Sequence, residues 1–211
     1  MSAALKFFVK QQRRAKAPQA PLPIYLTATS RNHFPEIFRD LGFTKGAEIG
    51  VWKGAYSASF CQANPALHML CVDPWLSYPA WRDTKNDLPP EKQDRFMAEA
   101  YQQAVARLTS LNCSIVRKFS VEAAKDVEDG SLDFVFVDGN HVYDAVIEDL
   151  DAWVPKVRLG GVVAGHDFRD FPNKPTIHVK RAVTDYTAAR GIDPWFIASA
   201  DRTPSFLWVI T

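Results

Sequence analysis

The chain contains no apolar run approaching the ~18 residues of a membrane span. The patch Leu5–Val9 is short, is broken by Lys6 and lacks a cleavage-like continuation, so it does not read as a signal peptide. Cysteine is scarce. Cys61, Cys71 and Cys113 are odd in number, sit in apolar contexts and show no CxxC spacing, which points to buried, reduced thiols in a cytoplasmic protein. Acidic residues are missing from the N-terminal stretch: none precedes Glu36, whereas Lys6, Lys10, Arg13, Arg14, Lys16 and Arg31 are all basic. Taking those six from the total of +1 leaves residues 36–211 at −5. A total so near zero argues against nucleic acid as a partner. The basic stretch reads as a solvated arm or a lone amphipathic helix, with contact to anionic lipid, nucleic acid or a neighbouring acidic subunit as the alternative.

What is present is ordinary globular material. Hydrophobic residues make up 47% and charged residues 23% of the 211 positions, enough for one substantial core in one generous domain. Pro18, Pro21 and Pro23 mark an extended linker, so residues 1–28 are expected to form the arm and 29–211 the domain. Thr29 or Ser30 can cap a helix carrying Phe34, Ile37, Phe38 and Leu41 at helical spacing. From there strands and helices alternate. Strands are expected at Ala47–Val51, His68–Asp73, Cys113–Ser120, Leu132–Asp138 and Val162–Asp167. Helices are expected up to Ala63 and over Glu91–Leu111, Val121–Val127, Val142–Val157 and His178–Arg190. A closing hairpin joins Trp195–Ala200 to Phe206–Ile210. This order predicts a doubly wound, Rossmann-like α/β domain with a mostly parallel sheet and one antiparallel strand near an edge.

In such sheets ligands sit at the carboxyl ends of the strands, where the strand order reverses. The first strand of the alternating series runs into Glu48-Ile49-Gly50-Val51-Trp52-Lys53-Gly54. Gly50 and Gly54 remove side chains where a ligand would approach. Trp52 stands where a dinucleotide fingerprint needs its second glycine, and Glu48 would repel a pyrophosphate while pairing with a cationic amino group. The next strand ends at Asp73, placed to accept from both ribose hydroxyls of a nucleoside, with Trp75 able to stack on a base.

Four motifs in order resemble the class I S-adenosylmethionine-dependent methyltransferases. They are Glu48-Ile49-Gly50-Val51-x-x-Gly54, Val72-Asp73-Pro74, Val137-Asp138-Gly139-x-His141 and Gly160-Gly161-Val162-Val163-x-x-His166-Asp167. The likeness is to the small-molecule O-methyltransferase branch that includes macrolide-sugar and catechol-type enzymes, and it covers roughly residues 45–211. The resemblance implies a seven-stranded sheet with S-adenosylmethionine across the first two strand ends. Glu48 and Gly50 would border the methionine moiety, Asp73 would hold the ribose, and Trp75, Phe119 and Ser120 would surround the adenine. Trp52 is the departure, since many members carry glycine there.

The resemblance also implies a catalytic cluster at the ends of the next two strands. Asp138 and Asp167 would supply oxygens to Mg²⁺ or another divalent cation, with His166 as a nitrogen ligand, favouring Mn²⁺ or Fe²⁺, or as a partner behind the ligands. His141, where catechol-type enzymes carry a basic lysine, would take the proton from an acceptor hydroxyl. Tyr78, Trp81 and Arg82, with Arg169 and Lys174, are expected to flank the mouth, suiting a sugar, phenol or acidic small-molecule acceptor, or equally a homo-oligomer contact. Two rival readings are a nicotinamide-dependent oxidoreductase and a non-catalytic nucleoside- or partner-binding module. The methyltransferase reading, with Asp138 also among the cofactor-binding residues, expects Asp73→Ala to weaken S-adenosylmethionine binding by calorimetry, while Asp138→Ala chiefly lowers turnover.

Overall fold

The computed structural model describes residues 1–14, 22–76, 89–174 and 176–211. Pro18, Pro21, Tyr78, Trp81 and Arg82 therefore lie outside the described residues. Eight strands form one sheet: β1 (Ile24–Leu26), β2 (Lys45–Ile49), β3 (His68–Val72), β4 (Cys113–Val116), β5 (Leu132–Val137), β6 (Val157–Gly165), β7 (Trp195–Ala198) and β8 (Ser205–Val209). Their order is β1-β7-β8-β6-β5-β2-β3-β4. Only β8 runs against its neighbours, pairing antiparallel with both β6 and β7. The antiparallel strand is third from one edge of the sheet, because the parallel pairing of β1 with β7 extends the sheet beyond the hairpin.

That eighth strand corrects the expected count of seven. β1 is only three residues long and lies in the segment read as linker, where Leu22-Pro23 obscures any strand pattern. The N-terminal stretch is likewise no detached arm. Helix α1 (Ala3–Arg14) turns Ala4, Leu5 and Phe8 inward while Lys6 and Lys10 face out. Phe8 is completely buried, with its ring 5.8 Å from that of Phe196 on β7. Spacings of three and four residues put these apolar side chains on one helical face, so one helix carries both the positive charge and a core contact.

The other helices are α2 (Phe34–Asp40), α3 (Ala55–Ala63), α4 (Pro90–Leu108), α5 (Ser120–Ala124), α6 (Tyr143–Trp153) and α7 (Val179–Ala189). One face of the sheet packs beneath α1 to α4 around Phe34, Phe38, Phe60, Phe134 and Phe136. The other packs beneath α5 to α7 around Leu150, Trp153, Val183 and Trp208. Strand β5 reads Leu-Asp-Phe-Val-Phe-Val and is buried throughout, as a central strand covered on both faces must be. Gly46 on β2 is required by the same packing, since a Cβ there would run into the Phe134 ring. All three cysteines are unpaired, with Cys61 and Cys71 buried. Among the described residues no helix is long and apolar enough to cross a membrane.

The strand order reverses between β2 and β5. The pairs Ile49–Val137, Ile49–Val72 and Val137–Gly165 bring four strand tips into line. Backbone bonds carry the alignment one residue further, from Gly50 N to Val72 O (2.9 Å), Asp138 N to Ile49 O (2.8 Å) and His166 N to Val137 O (3.1 Å). The residues beyond these tips are the ones that the sequence motifs single out.

If α1 belongs to the core, Phe8→Ala should lower unfolding stability by about 3–5 kcal/mol in chemical denaturation. A loss below about 0.5 kcal/mol, as for an ordinary surface change, would show that α1 does not stabilise the domain.

Candidate functional site

A cavity of about 800 Å³ opens over the switch point. Its floor is Ile49, Gly50 and Gly139, and one end is walled by Val72, Asp73 and Phe119. Gly50 has φ +91°, and a Cβ there would collide with the carbonyl of Asp138, so only glycine lets the two strand tips approach this closely.

Asp73 organises the first end. Its Oδ2 accepts from the backbone N–H of Trp52 (2.8 Å) and its Oδ1 from that of Trp75 (2.7 Å). Both tryptophans are left-handed, with φ 48° and 45°, and the indole Nε1 of Trp75 donates to the Trp52 carbonyl at 2.7 Å. Non-glycine residues in this region cost about 1–3 kcal/mol each and persist only where neighbours dictate them. Burial pushes the Asp73 carboxyl up, opposed by these backbone donors. The two tryptophans diverge. Trp52 is 41% exposed and lines the cavity, whereas Trp75 is 1% exposed, packs on Tyr101 and does not line it. The expectation that Trp75 faces a base is corrected: its indole is held in the core by the bond to Trp52.

Glu48 also differs from expectation. Its side chain lies beneath the cavity, 2% exposed, and accepts from the Ser57 hydroxyl. Burial pushes it up to about 8, overcoming the Ser57 bond, so near neutral pH it is largely a neutral acid and not an anion awaiting a cation. Gly54 does not line the cavity. It caps α3 with φ +73°, and a Cβ there would crowd Leu108 and Ala104 of α4, so its role is helix packing.

Phe119 and Ser120 line the cavity as expected. Ser120 Oγ accepts from Trp153 Nε1 at 2.8 Å and hydrogen-bonds the buried carboxyl of Asp149, a lining residue that the motifs do not include. Burial raises Asp149 to about 7 despite that bond.

At the other end Asp138, His141 and Asp167 converge, each with one candidate ligand atom within 4.8 Å of the others. His141 Nε2 lies 2.9 Å from Asp167 Oδ2 and 3.6 Å from Asp138 Oδ1. Nε2 is buried and makes no aligned hydrogen bond, so these contacts are ion pairs. Burial alone would lower the His141 pKa, but the two carboxylates prevail and raise it to about 9. Asp167, itself left-handed at φ 58°, is held below the usual range: burial would raise it, and His141, His166 and Arg31 more than offset that. His166 is outside the trio and does not line the cavity. Its Nδ1 is 3.4 Å from Asp167 Oδ1 and 3.9 Å from Asp138 Oδ1, and burial lowers its pKa. Among the described residues, the trio with converging candidate ligand atoms thus contains His141, whereas the expected set was Asp138, His166 and Asp167.

Sequence reasoning counted Arg31 only as a charge of the basic stretch. A 3₁₀ turn capped by Ser30 brings it to the site, where Nη1 donates to Asp138 Oδ2 at 3.2 Å. At the mouth Phe171 and Lys174 line the cavity, while Arg169 stacks on Phe171 and does not line it.

The buried acid generates a stability prediction. Glu48 is raised when folded, so its contribution is complete below its unfolded value near 4.5 and is lost as pH rises through about 8. At 1.36 kcal/mol per unit the loss is of order 4 kcal/mol. Glu48→Gln, neutral at every pH, should flatten the fall in stability measured by denaturation between pH 5 and pH 8. An unchanged slope would place Glu48 in contact with water.

Comparisons with known proteins bear on the fold and the family. An uncharacterised protein of Sinorhizobium fredii, y4gI, is 33% identical over 124 residues, which are 57% of this chain but 12% of that protein, so the chain spans about an eighth of its curated relative. Among solved structures, the O-methyltransferase NovP is 18% identical, covering 86% of this chain and 78% of its own, with a TM-score of 0.57. An O-methyltransferase from Bacillus cereus, solved in complex with SAH, is 13% identical over 100% of this chain and 92% of its own, with a TM-score of 0.55. At such identities the likeness is one of fold. A family model described as a methyltransferase domain matches residues 47–168, from the middle of β2 through both acidic strand tips and just past Asp167. With more than half of its length inside that match, the chain belongs to the methyltransferase domain family.

Proposed function

We propose that this protein is an S-adenosylmethionine-dependent methyltransferase that transfers the methyl group to a hydroxyl oxygen of a small acceptor, with a divalent cation at the acceptor end. The observation that carries the reading is one cavity joining Asp73 at one end to Asp138, His141 and Asp167 at the other. The Asp73 oxygens accept from the backbone N–H groups of Trp52 and Trp75, with Val51 as a further backbone donor, and retain lone-pair capacity for ribose hydroxyls. Phe119 and Ser120 are the wall for the adenine, and Trp52 is the tryptophan on the cavity side. The Bacillus cereus relative was solved with SAH, the demethylated product of the same cofactor.

S-adenosylmethionine supplies a methyl group on a sulfonium cation, and the chain's part is to align the acceptor oxygen with it and dispose of the acceptor proton. Gly50 keeps the floor low enough for that alignment. Two carboxylates and one imidazole fit a divalent cation, and the buried, unaligned Nε2 of His141 is the feature that argues for one. Such a cation would supply Lewis acidity at an acceptor hydroxyl. His141 would then be a ligand, giving up its proton on binding. With no cation its raised pKa makes it a cationic partner of Asp167, poorly suited to accept a proton near pH 7. Phe171 and Lys174 at the mouth suit a sugar or phenol-like acceptor.

Calorimetry separates this reading from the nicotinamide alternative. S-adenosylhomocysteine should bind with a Kd on the order of micromolar, and NAD should give no heat at that level. Methyl transfer from S-adenosylmethionine to a panel of phenols and sugars should disappear with chelator and return with Mg²⁺ or Mn²⁺. NAD binding in place of S-adenosylhomocysteine would overturn the assignment, and transfer insensitive to chelator would remove the cation from it.

A further inference from the structure

The acceptor end holds a fixed cation of its own. Arg31 lies outside the 47–168 segment matched by the family model, and four contacts place it. Its backbone N–H donates to Asp201 Oδ2 at 3.1 Å, in the turn between β7 and β8. Its carbonyl accepts from the Tyr56 hydroxyl at 2.8 Å. The guanidinium carbon stands 5.0 Å from the centroid of the Tyr56 ring, and Nη1 reaches Asp138 Oδ2 at 3.2 Å. The Arg31 side chain is 30% exposed and that of Asp138 20%, so this pair is only partly screened by water.

The two oxygens of Asp138 face different partners. Oδ2 meets Arg31, while Oδ1 faces His141 at 3.6 Å and His166 at 3.9 Å. Arg31 therefore leaves one Asp138 oxygen to the trio but removes much of the carboxylate's charge. When His141 is a neutral ligand, the fixed charge around the trio is −1 with Arg31 and −2 without it.

We propose that Arg31 is a built-in counter-cation that competes electrostatically with a divalent metal for Asp138, so that the segment before the family domain sets how weakly the site holds its metal. This rests on reading Asp138, His141 and Asp167 as the metal ligands. Monovalent and divalent cations sharing one carboxylate repel by about tenfold in affinity even with water-like screening, and by more where screening is partial. A guanidinium cannot shed its charge near neutral pH, so the effect is constant across the working range.

The test is Mn²⁺ titration of the full chain, following free Mn²⁺ by electron paramagnetic resonance, for wild type, Arg31→Gln and Arg31→Lys. Glutamine keeps an N–H donor for Asp138 but removes the charge, while lysine keeps the charge without the planar fork. S-adenosylhomocysteine binding and circular dichroism check that each variant is folded. Arg31→Gln should bind Mn²⁺ at least about tenfold more tightly than wild type, with Arg31→Lys close to wild type. Unchanged affinity in Arg31→Gln overturns the proposal. Weaker affinity also overturns it, and identifies Arg31 as a residue that orients Asp138 toward the metal. If no form binds Mn²⁺ while S-adenosylhomocysteine still binds, the metal reading falls with this inference and the cofactor reading stands.

Discussion

The site depends on one carboxylate accepting two backbone N–H groups. Asp73 reaches back to Trp52 beyond β2 and forward to Trp75 beyond β3, and so ties together the tips of two neighbouring strands. Each tryptophan sits in a backbone region that a bulky residue avoids, and the bond from the Trp75 indole to the Trp52 carbonyl closes the arrangement. The glycine at position 50 and the carbonyl of Asp138 then meet across the switch point at a distance that no side chain would permit. Backbone strain is concentrated at the cavity, at residues 52, 75 and 167, and the surrounding sheet holds it in place.

Charge is arranged with similar economy. Below the cavity floor Glu48 is kept neutral by burial, so it adds no negative charge under a cationic ligand. Asp149 lies near its balance point in the wall shared with Ser120. At the far end the two carboxylates Asp138 and Asp167 are matched by His141 and Arg31, which come from elements far apart in the chain. The ion pairs of the site gather at the Asp138–Asp167 end, while Asp73 is held by backbone hydrogen bonds.

Much of this was legible in the residues and some of it was not, for identifiable physical causes. Strands such as Leu132–Val137 announce themselves because a strand covered on both faces reads as a nearly continuous apolar run, here interrupted at Asp133. Asp73, Asp138 and Asp167 are legible because an acid that closes an apolar parallel strand stands at the rim of the sheet where ligands bind. The three-residue β1 is too short to show a period, and its proline context reads as linker. The apolar face of α1 was masked by the net charge of its other face. Which tryptophan of a Trp52–Trp75 pair faces a ligand depends on two left-handed residues, a conformation that spacing does not encode. The exchange of His166 for His141 has the same character. His166 directly precedes Asp167 and His141 follows Asp138 by three residues, and spacing alone does not say which imidazole converges with the two acids. Arg31 acts through contacts more than a hundred residues away in sequence, to Asp138 and Asp201, beyond the reach of any local motif.

That last pair of contacts has a consequence for how the protein is made. Arg31 leaves the ribosome long before Asp201, which lies in the turn leading into β8, and β1 has no partner until β7 is complete. At roughly 5–20 residues per second, about ten seconds or more separate the synthesis of the two residues. Through that interval β1 has no strand to pair with, and Phe8 of α1 lacks its contact with Phe196 of β7. The backbone bond that fixes Arg31 beside Asp138 can therefore form only after the turn between β7 and β8 has been translated.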